Sequence, residues 1–182
     1  MEHADWSVKP VSVPGESAVA GWCEAPYLAD AYAIRLPDDA STDTELLSRF
    51  LFSHQPSWVA RLMSVRDTVV ARFGIKTAKQ LRRSSGSSGE ERVDIFKVYQ
   101  RASHEIILGE DDRHLDFRVS VLRQMRNEAA GECPYLVLST VVDCHNRLGR
   151  IYITLIAPFH RLVVESALRR AGRLGWPTAA KT

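Results

Sequence analysis

Apolar and polar residues alternate through most of the second half of the chain. In residues 115–121, Leu, Phe and Val at the odd positions alternate with Asp, Arg and Ser at the even ones, which is the two-residue period of a strand with one apolar face. The alternating stretches are separated by an acidic turn at 109–113 and by turn-forming clusters at 127–134 and 146–149. Such short connections favour antiparallel pairing. The patterns predict strands at 93–101, 104–108, 114–125, 135–145 and 150–157.

The first half of the chain predicts one strand and two short helices. Residues 30–36 suit a first strand, which a Pro-Asp-Asp turn closes. Thr42 and Glu45 have the spacing of a capping box and predict the start of a short helix. Pro56 stands where a first-turn proline loses no hydrogen bond, and an apolar stripe predicts that a second helix runs from there to Phe73.

The last helix is predicted to begin at Pro158. Phe159, Leu162, Ala167 and Leu174 line one side of it, so we expect this helix to lie across the sheet. The order of elements predicts an α+β fold of the helix-grip type, in which a curved antiparallel sheet of about six strands holds a long C-terminal helix. The two short helices follow the first strand.

The chain is expected to form one domain with short flanking segments. Residues 1–28 contain several prolines and little periodicity, which predicts an irregular N-terminal arm. The helix-grip domain is assigned to 29–176, and 177–182 form a tail. The Ser/Gly-rich stretch 80–92 has almost no apolar side chain to offset its ordering entropy, which predicts a mobile loop, either a lid over a pocket or a plain connection.

Composition narrows the class of protein. The 182 residues are 45% hydrophobic and 25% charged, which is typical of a soluble globular domain, and a net charge of +2 gives no reason to expect a nucleic-acid partner. Three cysteines without a CxxC pair favour a reducing compartment, so we expect a cytoplasmic protein. The apolar runs are too short for a membrane span, and no membrane association is expected.

Candidate chemistry concentrates on the strand at 114–125 and its neighbours. Its ionisable face either meets solvent or lines a cavity, because a slip of one residue in register would exchange the two faces. Inside a cavity, a paired Asp and His could transfer protons, since burial and a neighbouring charge shift their pKa values. No HxH or HExxH spacing occurs, so no metal is expected. The candidate ligand-binding residues are Glu105, His114, Asp116, Arg118, His145 and Tyr152.

Three stretches, 105–121, 140–152 and 158–163, resemble the bacterial domain of unknown function 2867 family. That family is also found C-terminal to NAD(P)-binding, epimerase-like proteins. The element order resembles the helix-grip fold of the START/Bet v 1-like (SRPBCC) superfamily, whose members hold lipids, sterols or polyketides between sheet and helix. No Gly-rich dinucleotide fingerprint is present, so no cofactor is expected.

Three functions follow as expectations. The first is binding of a small, largely apolar or amphipathic ligand in a cavity between the sheet and the C-terminal helix. The second is a small-molecule enzyme that uses acid-base residues in that cavity. The third is an accessory domain that docks on a separately encoded NAD(P)-dependent oxidoreductase, which rests on the resemblance alone. The oligomeric state stays open, and a homodimer is one of the alternatives.

Overall fold

The computed structural model describes residues 6–62, 64, 91–129 and 131–179. The residues form an α+β domain in which strands and helices are largely segregated along the chain. In chain order the elements are β1 (Val8–Val11), β2 (Leu28–Arg35), α1 (Thr44–Ser53), β3 (Arg92–Val93), β4 (Phe96–Arg101), β5 (Glu105–Asp111), β6 (Leu115–Glu128), β7 (Gly131–Cys144) and α2 (Arg147–Leu174).

The strands of the described residues form one open antiparallel sheet in the order β1-β2-β7-β6-β5-β4-β3. β6 and β7 pair over 14 residues each, from Leu115 opposite Cys144 to Glu128 opposite Gly131. The α+β class and the antiparallel sheet are therefore confirmed, with seven strands instead of about six. Strand β1 lies in the segment that was predicted to be irregular, where it pairs with β2. The strand predicted at 93–101 is divided into β3 and β4. The helix-grip assignment and the curvature stay predictions.

Each face of the sheet has its own cover. On one face, Tyr32, Ile106, Val121 and Leu138 pack against α1 and the second half of α2 in the largest core cluster. On the other face, a shorter apolar layer lies beneath the segment that connects β1 to β2. That segment contributes Val13, Val19 and Trp22, which pack against Ile107, Tyr99 and Val141.

Asp43, and not Thr42, caps the N-terminus of α1. Its Oδ1 accepts hydrogen bonds from the backbone N–H groups of Glu45, at 2.9 Å, and Leu46, at 3.1 Å. The capping box predicted from Thr42 and Glu45 is therefore wrong by one position, because an aspartate directly before the first turn is at least as good a cap as a threonine. The Glu45 carboxylate instead binds Arg49 at 2.6 Å and Arg101 of β4 at 2.7 Å.

The strands extend into two segments that were predicted to be turns. β5 continues to Asp111, so most of the predicted acidic turn at 109–113 belongs to the sheet. Gly109 permits this, because a Cβ there would lie 2.2 Å from the carbonyl oxygen of Phe117 on β6. The cluster at 127–134 is likewise mostly strand, since β6 ends at Glu128 and β7 begins at Gly131. Gly131 has a φ of +118°, which a glycine adopts without strain.

The predicted strand at 150–157 is wrong, and so is a helix start at Pro158. Both lie inside α2, a single 28-residue helix with Pro158 in its interior. Asn146 caps this helix by accepting a hydrogen bond from the N–H of Gly149 at 3.1 Å. The β-branched residues in this stretch favour a strand only weakly, and helical packing of Ile153 on the end of the sheet outweighs that preference.

The second predicted helix is described only at its start. Residues 57–62 are helical and follow Pro56, as expected for a proline near a helix N-terminus. Its predicted end at Phe73 and nearly all of the loop predicted at 80–92 lie outside the described residues.

We predict that Gly149→Ala destabilises the fold by about 1–3 kcal/mol, the usual penalty for overpacking. A Cβ at residue 149 would lie 2.3 Å from the carbonyl oxygen of His114, so α2 would have to move away from the sheet. Helix propensity acts in the opposite direction and would make alanine more stable by up to about 1 kcal/mol. Chemical denaturation measures the difference. Gly21→Ala, whose Cβ has no neighbour within 4 Å, is the control, and an unchanged stability of Gly149→Ala would contradict the close approach.

We predict that Glu45→Gln lowers the free energy of unfolding by about 0.5–1 kcal/mol near pH 7, as expected for a partly exposed ion-pair network. Hydrogen bonds from Arg101 first, and from Arg49 second, hold the pKa of Glu45 below its ordinary value. A depressed pKa contributes stability above the unfolded-state pKa of about 4.3 and loses it as the pH falls through the folded-state value. Denaturation curves across this range should therefore converge for the two proteins in acid. Glu132→Gln on exposed β7 surface is the control, and a gap that persists in acid would contradict the assignment.

Candidate functional site

Glu105 anchors the segment between β1 and β2 to the sheet. Its buried carboxylate accepts hydrogen bonds from the hydroxyl groups of Ser17 and Ser120, each at 2.5 Å, and from the N–H of Ala18 at 3.0 Å. Since the donors come from the chain's own backbone and side chains, these contacts satisfy the buried charge internally. Glu105 thus holds the covering segment in place.

Arg118 is enclosed by aromatic rings on the same face. Its guanidinium carbon lies 3.6 Å from the ring centre of Tyr99 and 4.7 Å from that of Trp22, and its Nη1 donates to Asp111 at 2.7 Å. Burial and the hydrogen bond to Asp111 raise the pKa of Tyr99. Burial alone would raise the pKa of Asp111, but hydrogen bonds from Arg118 and Tyr99 bring it below its ordinary value. The cation–π contact of Arg118 with Trp22 stabilises the packing of the covering segment on the sheet.

His114, Asp116 and His145 meet at the end of the sheet where α2 begins. The buried His114 has its Nδ1 3.1 Å from the amide nitrogen of Asn146, the helix cap. Asp116 accepts from the N–H of Asp112 at 3.1 Å and lies 3.2 Å from Nε2 of the more exposed His145. Neighbouring polar groups of the protein itself therefore already bind all three side chains.

Tyr152 lies on the opposite side of the sheet, in an apolar cluster with Leu115, Val142 and Ile153. The six predicted site residues consequently occupy separate places: Glu105 and Arg118 lie under the N-terminal segment, the two histidines and Asp116 lie at the end of the sheet, and Tyr152 lies on α2 itself. The ionisable face of β6 is the face covered by the N-terminal segment, which the residue pattern could not decide. A ligand-binding role for these residues stays a prediction.

A polar pair that the sequence reasoning missed lies between β2 and α2. Oδ1 of Asp30 and Nε2 of His160 are 3.4 Å apart, close enough for an ion pair but without hydrogen-bond geometry. Both atoms are buried and have no hydrogen-bond partner among the described residues. Tyr32 points to the same face two residues along β2, and its pKa is raised chiefly by burial and next by the Asp30 carboxylate. The sequence signal was an aspartate between two alanines in a mostly apolar strand.

A groove of about 410 Å³ runs along the C-terminal half of α2. Its described lining combines three guanidinium groups with an indole and a leucine, and the volume is in the range of small-molecule sites. Arg169 is paired with Glu165 at 2.8 Å, whereas Arg170 and Arg173 are exposed. The lining residues are Pro56, Trp58, Ser166, Arg169, Arg170, Arg173 and Leu174.

The helix dipole does not account for all three arginines of the groove. A basic residue in the last turn, such as Arg173, is favoured by the negative end of the helix dipole. Among the described residues, one of the three arginines is paired with Glu165, and Arg170 and Arg173 have no acidic partner there. Two such guanidinium groups beside an exposed apolar surface attract an anion. Within the described residues, no group of three or more His, Cys, Asp or Glu side chains is placed to hold a metal ion.

The described residues thus define an α+β domain with an open antiparallel sheet, a two-sided cover and an arginine-lined groove on its last helix. The chain belongs to the family described as Protein of unknown function (DUF2867), whose model matches residues 22–167. The match includes β2 to β7 and most of α2, and it ends before Arg169. No curated protein and no solved structure matches the chain. The relationship to the SRPBCC superfamily and to epimerase-like proteins stays a prediction.

Proposed function

We propose that the protein binds a small anionic molecule with an apolar, preferably aromatic, part in the groove along α2. The observation that carries this proposal is the combination of Arg170 and Arg173 with the Trp58 indole around one concavity of about 410 Å³. The guanidiniums would bind a carboxylate, sulfonate or phosphate, and the indole with Leu174 would contact the apolar part.

This groove differs in place and chemistry from the site expected from the sequence. That site was a largely apolar cavity between the sheet and the C-terminal helix. In the structure, Val164, Leu168 and Ala171 of α2 are buried in the core on the sheet side of the helix. The groove lies on another side of the same helix, and its charge favours an amphipathic anion over a neutral lipid or sterol.

The test uses two fluorescent probes with the same aromatic skeleton. We predict that 1-anilinonaphthalene-8-sulfonate binds the folded protein at least about 10-fold more tightly than the uncharged N-phenyl-1-naphthylamine, because a charge-assisted hydrogen bond contributes about 1.5–3 kcal/mol. Arg170→Gln with Arg173→Gln should remove most of that preference. Fluorescence titration gives both affinities.

Arg113→Gln, an exposed arginine far from the groove in sequence, is the matched control and should leave the preference intact. Thermal melts of each variant establish that the fold is retained. Equal affinity for the two probes, or a preference that survives in the double variant, would refute an arginine-based anion site.

A second candidate function, acid-base catalysis on a bound small molecule, is favoured by the Asp30 and His160 pair. A partly buried carboxylate whose Oδ1 faces an imidazole, with a tyrosine side chain nearby, is an arrangement that can accept and return a proton. The third hypothesis, docking on a separately encoded oxidoreductase, has no observation among the described residues in its favour.

We predict for the second candidate that a panel of chromogenic esters and enolisable ketones contains a compound that the protein turns over. His160→Gln and Asp30→Asn should each lower that rate at least about 100-fold, the range of general acid-base catalysis. His104→Gln, an exposed histidine on the β4–β5 connection, should leave it unchanged. A panel without turnover, or a rate equal in all variants, would count against catalysis.

A further inference from the structure

Four large apolar side chains of α2 face solvent in the described structure. Ile151, Leu155, Phe159 and Leu162 are 58%, 65%, 51% and 55% exposed. Their spacing of four, four and three residues places them on one side of the helix, and we call them the outer stripe. The stripe is about 17 Å long at the rise of an α-helix. Exposed apolar surface of this extent marks an interaction site in a soluble domain.

The charges around the outer stripe select the kind of partner. Arg147 and Arg150 are exposed beside it, whereas the exposed Arg161 also reaches the Tyr32 hydroxyl. Residues 147–164 contain no aspartate or glutamate. A second copy of the chain would bring the same guanidiniums to the contact, with no carboxylate from this stretch to neutralise them. An anionic surface is complementary to both the apolar and the cationic parts.

We expect helix α2 to lie on the surface of its partner and not to span a bilayer. Among the described helices, α2 is long and apolar enough to span a membrane by length and composition alone, and 22% of its apolar 18-residue stretch is buried. Its other side, however, packs Ile153, Val164 and Leu168 against the sheet. Crossing a bilayer would expose that core, whereas docking the outer stripe leaves it intact.

We propose that the outer stripe of α2 docks the domain on an anionic phospholipid surface. The aliphatic and aromatic side chains enter the boundary between headgroups and acyl chains, and the arginines beside them bind phosphate groups. Tyr27, 44% exposed and hydrogen-bonded to Thr154 on the same helix at 2.8 Å, extends this surface with an amphipathic ring of the kind found at membrane interfaces. The docking does not depend on the groove proposal.

Co-sedimentation of the full chain with vesicles tests the proposal. Vesicles of phosphatidylcholine with about one-quarter phosphatidylglycerol should bind at least about 10-fold more protein than vesicles of phosphatidylcholine alone, because anionic lipid attracts each nearby arginine. The variant Leu155→Ser with Phe159→Ser should lose at least about 10-fold of that binding, since two large apolar contacts are removed. Leu46→Ser, a 42% exposed leucine on α1, is the matched control and should bind as the unmodified protein does.

Other occupants of the outer stripe give different results. A dimer in sedimentation equilibrium that the Leu155→Ser and Phe159→Ser variant dissociates would identify a second copy and overturn the proposal. A thiol introduced by Leu155→Cys that stays unreactive toward maleimide without vesicles would show that the stripe is covered by the chain itself. Equal binding to both vesicle types would refute the role of charge. Probe binding in the groove that persists when vesicle binding fails would leave the groove proposal standing while this one falls.

Discussion

Burial of β7 on both faces is the constraint on which the rest of the structure depends. Its side chains are buried throughout residues 133–142, whichever face they occupy, so the sheet needs a cover on each side. Two helices supply one cover. The other is a segment with little apolar surface, and for that reason it is held by polar contacts as well, through the Glu105 carboxylate and through the guanidinium of Arg118 against Trp22. The charged face of β6 therefore has a structural use that does not require a ligand.

The position of α2 follows from the end of the same strand. Asn146 caps the helix immediately after β7, and Gly149 lets the first turn approach the carbonyl of His114. A helix started there and continued for 28 residues is about 42 Å long. It covers the sheet with Ile153 near its beginning and with Val164 to Ala171 further on. Its opposite side has no sheet to cover, which leaves large apolar side chains and arginines on the outside.

Much of the sheet could be predicted from the sequence, because period-two alternation is a direct record of which side chains are buried. β6 follows that record, whereas β7 was predicted from its continuous apolar run, as expected of a strand buried on both faces. Strand ends were misplaced where Gly109 and Gly131 extend strands through apparent turns, and also at β2, which begins at Leu28 instead of residue 30. The prediction of a strand at 150–157 was wrong because its β-branched residues fit a strand locally, while tertiary contacts and the Asn146 cap make the stretch helical. The Asp30 and His160 pair could not be predicted at all, since 130 residues separate its members and only the crossing of α2 over β2 brings them together.

The prediction of a strand at 150–157 also left out the continuous helical surface on which the docking proposal rests. As a strand followed by a separate helix, these residues would have placed alternate side chains on opposite faces, and no continuous outer stripe would exist. As one helix, residues 3 and 4 apart share a side, so the stripe ending at Leu162 is followed on the same side by Ser166, Arg169 and Arg173. Docking of the stripe on a bilayer would thus bring the groove to the headgroup layer. Anionic amphiphiles that partition into the membrane would reach arginines placed there, and they belong to the ligand class that we propose for the groove.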